Sequence, residues 1–205
     1  MMIAALAVAL LQAAVSRADE CPSNLAGSCW TFGEATLGAV SSGSAAGRSV
    51  RCTLKCRTAG SGVLVLRDDG TYSSPASTAT VTCPSGQVAI PDEEGVVRQK
   101  RGKLILEPSN LHEFGAALDA CAGRDVSVRR YRTTISIAAD GQSLSGVTKL
   151  RLLTPGRAPV TTRIIDRFTA TRVRTATRAA AASASARARR LPACSIDLEP
   201  RCVSD

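Results

Sequence analysis

The chain has 205 residues and a formal net charge of +9, from 26 Lys and Arg against 17 Asp and Glu. Aromatic residues make up 3%, and Trp30, Phe32, Tyr72, Phe114, Tyr131 and Phe168 are not interleaved with basic clusters, which argues against a base-stacking nucleic-acid platform. The length suits one domain with tails, and past the first residues no apolar run approaches the roughly 20 residues that cross a bilayer.

The chain opens "MMIAALAVALLQAAVSRADEC". An apolar run followed by Ser16-Arg17-Ala18, with small residues at both ends of that triplet, has the pattern of a secretory signal peptide over residues 1–18. The expectation is an exported protein, secreted or periplasmic, with 19–26 as a short N-terminal segment. Asp19 and Glu20 stand where a lipid-attachment motif needs a small residue before Cys21, so no lipid anchor is expected.

From residue 27 the sequence reads as short strands divided by turn signals. "SCWTFGEATLGAV" puts Trp30 and Phe32 on one face, and "SSGSAAG" (41–47) reads as a flexible loop. "SVRCTLKCRTA" is the next strand. Val63 to Arg67, an Asp69-Gly70 turn and Thr71 to Ser73 make a hairpin. "TATVTCP" and "GQVAIP" follow, split at Pro84-Ser85-Gly86, and then "GVVRQKRGKLILEP", a hairpin turning near Arg101-Gly102. Residues 110–122 form the one inserted helix: Asn110 can cap it with Glu113 three residues on. Leu111, Phe114, Leu118 and Cys121 or Ala122 recur at helical spacing, and Gly123 stops it. His112 lies off that stripe and is expected to be exposed. A long hairpin around Asp140-Gly141 comes next. Its apolar parity changes between Val128 and Tyr131, which predicts a bulge near Arg129-Arg130. The last strand, "PVTTRIIDRFTATR", places Val160, Thr162, Ile164, Phe168 and Ala170 on one face, and Arg163, Arg167 and Thr169 on the other. Residues 173–193 are an Ala/Arg/Ser-rich linker that cannot bury a core, and 194–205 form a cysteine-bearing tail. The fold class is therefore mainly β, an antiparallel barrel or alternatively a sandwich, of about nine or ten short strands.

The cysteines are Cys21, Cys29, Cys52, Cys56, Cys83, Cys121, Cys194 and Cys202. An even count in an exported chain points to disulfides, although roughly a hundred pairings are open. Cys52 and Cys56 share one strand face with Cα atoms about 13 Å apart, beyond the roughly 7 Å that a disulfide spans. Each therefore needs a separate partner, with Cys29, Cys83 and Cys121 as candidates. Cys194 and Cys202 can close a loop with each other, or one can tie the tail to Cys21. A zinc site would repeat such cysteine pairs or add paired histidines; His112 is the sole histidine, so no metal or cofactor is expected.

Catalytic motifs are missing. Gly141-Gln142-Ser143-Leu144-Ser145 lacks the closing glycine of a nucleophile elbow, and a Ser-His-Asp triad would rest wholly on His112. Asp68-Asp69 and Asp92-Glu93-Glu94 flank turns and read as solvated loop acids. Asp166, between Ile164 and Phe168, would be buried if it faces inward and would then need an arginine partner.

"LAGSCWTFGEATL", "DDGTY", "RGKLILEP" and "DRFTATR" together resemble lipocalin-like secreted bacterial β-barrels over residues 27–172. That resemblance implies Trp30 at the barrel base with Phe168 in the core. Arg167 or Arg172 would pack on the tryptophan as a cation–π pair. It also implies a cavity for a small apolar or amphipathic ligand. The functional expectation is a non-enzymatic, lipocalin-like binding protein. The alternative is an interaction protein whose basic face and Arg-rich residues 172–190 bind polyanions.

Overall fold

The computed structural model describes residues 27–45, 48–58, 62–74, 80–83, 86–89, 91–123, 125–173 and 201–204. The expected signal peptide, the 19–26 segment and most of the linker and tail lie outside them. The elements are β1 (Gly27–Ala45), β2 (Arg48–Thr58), β3 (Val63–Arg67), β4 (Thr71–Ser74), β5 (Thr80–Cys83), β6 (Gly86–Ala89), β7 (Glu93–Lys100), β8 (Lys103–Pro108), α1 (Leu111–Ala122), β9 (Ser127–Ile137), β10 (Ser143–Thr154), β11 (Val160–Arg172) and β12 (Arg201–Ser204).

Strand order runs β1-β3-β4-β7-β8-β9-β10-β11, and β11 pairs back onto β1. That pairing closes an antiparallel barrel of eight strands and decides between barrel and sandwich. β1 is long enough to do two jobs. Gly27 to Thr31 pair with β3, while Ala35 to Ala45 pair with β2. β2 and then β12 thus extend the sheet beyond the closed wall, and β5–β6 form a separate small sheet.

Three local outcomes follow from the sequence. The Asp69-Gly70 and Asp140-Gly141 turns form, with Gly70 and Gly141 at positive φ; Asp69 Oδ1 accepts from the Thr71 N–H at 2.8 Å. Arg101 and Gly102, at φ 52° and 72°, make the tight turn that matches strand twist. The bulge falls at Arg129: Arg151 pairs with Arg130, but Leu152 pairs with Val128.

The Ser/Gly stretch 41–47 is not a loop up to Ala45. Ser41 to Ala45 pair with Cys52 to Arg48, and Ser41 and Thr162 share a hydroxyl hydrogen bond of 2.9 Å. Ladder bonds on both edges of β1 outweigh the low strand propensity of serine and glycine. Asn110 stands at the start of α1 but does not cap it with its side chain. Its amide donates to the Asp92 carbonyl at 2.6 Å and to Glu113 at 3.0 Å, which ties the helix start to the head of β7. Gly123 stops the helix in the left-handed conformation, its N–H donating to the Asp119 carbonyl.

Inward residues form two apolar layers. At one end Leu118 of α1 joins Leu37, Leu54, Leu150, Leu152 and Ile164. At the other, Trp30 packs with Leu64, Leu106, Ile135, Leu144 and Phe168. Truncating a buried side chain such as Leu152 to alanine would cost about 2–5 kcal/mol.

Candidate functional site

Between the two apolar layers lies a polar belt. On β11 it is Asp166, flanked by inward Ile164 and Phe168; on β10, Thr148; on β9, Thr133. Asp166 pairs in register with Leu37 and Thr148, and Thr133 and Thr148 share a buried hydrogen bond of 2.8 Å. Asp166 faces inward without an arginine partner, contrary to expectation: its Oδ1 is buried and accepts no hydrogen bond. Burial raises its pKa from 3.8 to about 6, against a backbone hydrogen bond that lowers it. A carboxyl that keeps its proton more tightly needs a counter-cation less.

Glu93 corrects a second expectation. It is not a solvated loop acid. Its carboxylate accepts from the Tyr72 hydroxyl at 2.7 Å and from the Tyr131 hydroxyl. Burial pushes its pKa up, opposed by the two tyrosine bonds; burial, and then the Glu93 charge, push both tyrosines up. The cluster ties β4, β7 and β9 together, and Phe114 of α1 lies with its ring 5.9 Å from Tyr131. No alternation signal pointed to Glu93, because it sits at the first residue of β7.

The residues singled out by the lipocalin resemblance divide. Trp30 is buried, 2% exposed, and its indole N–H donates to Ser28 at 2.9 Å. Arg172 pairs opposite Trp30 and places its guanidinium 6.0 Å from the ring. Arg167 does not contact it; it is exposed on the outer wall. Phe168 meets Phe32 edge to face at 5.2 Å. His112 is exposed, 3.9 Å from Glu113.

Cys52 and Cys56 lie on the same face of β2, as their spacing required. Cys52 is bonded to Cys202, not to Cys29, Cys83 or Cys121, and this also removes the expected Cys194–Cys202 and Cys21–Cys202 pairings. The reason is register: β12 lies on β2 with Cys202 directly opposite Cys52, Cα atoms 4.0 Å apart. Cys29, Cys56 and Cys121 are each disulfide-bonded as well. Cys21 and Cys194 fall outside the described residues, and Cys83 ends β5. Among the described residues there is no cluster of potential ligands that could hold a metal ion, and no helix long and apolar enough to cross a membrane.

The outer wall carries what single-strand reading did not assemble. In an antiparallel sheet, directly paired residues stand on one face. One row across the wall is Arg130–Arg151–Arg163–Val40–Thr53–Arg201. Beside it runs Arg132–Lys149–Ile165–Gly38–Lys55, and then Thr134–Val147–Arg167–Thr36–Arg57. None of the rows contains a carboxylate. Arg130, Lys149, Arg151, Arg163, Arg167, Lys55 and Arg201 are exposed; none of the seven takes part in the ion pairs Arg98–Glu107 and His112–Glu113, the first of which lies where the third row continues from Thr134 through Ile105 to Arg98. Like charges directly opposite each other destabilise a sheet, and Arg151 has one on each side.

Past Arg167 the same face turns from cations to hydroxyls. Ser136–Ser145–Thr169 form the next row and Ser143–Thr171 the one after. Together with Ile137 at the rim they line a groove of 370 Å³. Ile137 is 42% exposed, so the groove combines hydroxyls with an apolar edge.

No protein family matches the chain, and no curated protein does. A solved structure, that of the ywiB protein from Bacillus subtilis, is similar over 66% of this chain and 91% of that one, with 9% identity and a TM-score of 0.24; a likeness at that level carries no inference about function.

Proposed function

We propose that the protein is an exported, non-enzymatic barrel whose outer wall binds a linear acidic polysaccharide. The observation that carries the reading is the run of cation rows across β9, β10, β11, β1, β2 and β12 leading into the hydroxyl-lined groove. Unpaired arginine and lysine attract anionic groups along a chain. Serine and threonine hydroxyls beside an apolar rim suit sugar hydroxyls and the CH faces of a pyranose. Apolar clusters and the polar belt occupy the barrel interior, which favours the wall over a hollow lipocalin-like cavity. Trp30 and Tyr72 are buried and no aromatic stands in the rows, so the face offers bases no stacking surface. Export is supported by the disulfides.

The test is equilibrium binding of polygalacturonate and, separately, of polyglutamate, across a range of chloride concentrations. The proposal expects polygalacturonate affinity to fall steeply with salt and to be lost in Ser145→Trp, which fills the groove, while polyglutamate is unaffected by that substitution. Equal losses for both polymers, or no loss for either, would contradict it.

A further inference from the structure

We infer that Arg130, Arg151 and Arg163 together form a binding site for a phosphate monoester. This rests on the polysaccharide reading for the carrier of the phosphate, but the site is argued from its own geometry. Arg151 on β10 has Arg130 of β9 directly opposite on one side and Arg163 of β11 directly opposite on the other. Neighbouring strands lie about 4.8 Å apart, so three guanidinium groups rise from adjacent positions on one face. All three are exposed, and none has a carboxylate opposite it in the sheet.

The chemistry of the anion follows from the number of forks. A carboxylate has two oxygens and one charge, and a single guanidinium satisfies it. A phosphate diester offers two unbridged oxygens and one charge. A phosphate monoester carries a charge approaching −2 near neutral pH and three acceptor oxygens, one for each arginine of the row. A sulfate ester has the three oxygens but only one charge, so it is the informative competitor. The unbroken register from the β9–β10 turn sets Arg130 opposite Arg151, and the bulge at Arg129 comes after that pair, placing Val128 opposite Leu152.

The arrangement has a signature that a structural role would not produce. With no anion present, the central arginine is repelled from both sides. Removing its charge should stabilise the free protein while destroying the site. Thermal unfolding is measured for the full chain and for Arg151→Gln, at constant ionic strength, with glucose 6-phosphate, glucose 6-sulfate or glucuronate added. The expected result is a rise in melting temperature with glucose 6-phosphate that exceeds the rise with the other two. Arg151→Gln should melt higher than the parent without ligand and lose the phosphate-specific rise, with affinity for glucose 6-phosphate weakened about tenfold or more. Equal rises with all three sugars, a lower melting temperature for ligand-free Arg151→Gln, or a phosphate-specific rise that survives the substitution would each overturn the inference. Lys103→Gln, exposed at the β7–β8 turn and outside the rows, should keep the phosphate-specific rise; its loss there too would also count against a three-arginine site. Polygalacturonate binding read in parallel separates the two claims: wall binding without phosphate preference sinks this inference alone, and phosphate preference without polygalacturonate binding sinks the polysaccharide reading alone.

Discussion

Asp166 gives the sharpest stability prediction. It is held inward between Ile164 and Phe168 with an unbonded, buried Oδ1, and its pKa rises from 3.8 to about 6. In the folded protein the carboxyl therefore binds its proton more tightly than in the unfolded chain. Its contribution to stability is fully present below pH 3.8 and is lost as pH rises through about 6. A shift of about two units corresponds to about 3 kcal/mol at the alkaline end. Asp166→Asn keeps the shape and removes the ionisation. Urea unfolding of both proteins, disulfides intact, should give a variant about 2–3 kcal/mol more stable at pH 8, with the difference shrinking toward zero at pH 3.5. A variant less stable than the parent at pH 8, or a difference independent of pH, would refute the burial argument.

Other substitutions probe the belt, the wall and the staple. Glu93→Ala strands the Tyr72 and Tyr131 hydroxyls inside the barrel and should destabilise by about 2–5 kcal/mol in urea; Glu93→Ala in a Tyr72→Phe/Tyr131→Phe background should cost clearly less, since those hydroxyls are then absent. A Cβ on Gly146 would sit 2.1 Å from Phe168 Cζ, so Gly146→Ala should displace that ring and cost about 1–3 kcal/mol by overpacking, seen as a lower melting temperature. Replacing Cys52 and Cys202 together with serine opens a link spanning 150 residues and should cost about 2–5 kcal/mol, with hydrogen exchange at the amides of β2 accelerated.

What the sequence revealed depended on how local each determinant was. The Asp69-Gly70, Arg101-Gly102 and Asp140-Gly141 turns and the Arg129 bulge are each written within a few residues, and all four appear where the pattern placed them. The inward set Thr162, Ile164, Phe168 and Ala170 follows from period-two alternation in the same way. The 41–47 stretch misled because its composition is loop-like and its strand character comes from two partners, β2 and β11, that are distant in the chain. The Cys52–Cys202 bond was illegible for the same reason, since it depends on where β12 docks. Glu93 escaped notice because its partners Tyr72 and Tyr131 come from other strands. The cation rows were half visible: Arg130 and Arg132, Lys149 and Arg151, Arg163 and Arg167 each share a parity, and stacking three such strands in register was the missing step.

The barrel explains why such a face persists. The two apolar layers inside the barrel fix the register of β9, β10 and β11, since a slip of one residue would expose the core face. That rigidity holds Arg130, Arg151 and Arg163 opposite one another despite their repulsion. The cost of the like-charge row is set against burial elsewhere in the barrel.

The central claim is that placement of charge on the wall, and not net charge, creates affinity for an acidic polysaccharide. Two variants with the same net charge decide it. One is Arg130→Gln/Arg151→Gln/Arg163→Gln on the wall; the other is Lys100→Gln/Arg101→Asn/Lys103→Gln, at exposed positions around the β7–β8 turn. Calorimetric titration with polygalacturonate at fixed chloride should show the wall variant weakened about tenfold or more, since each charge-assisted contact contributes about 1.5–3 kcal/mol. The turn variant should bind as the parent does. Equal weakening of the two variants would contradict the account.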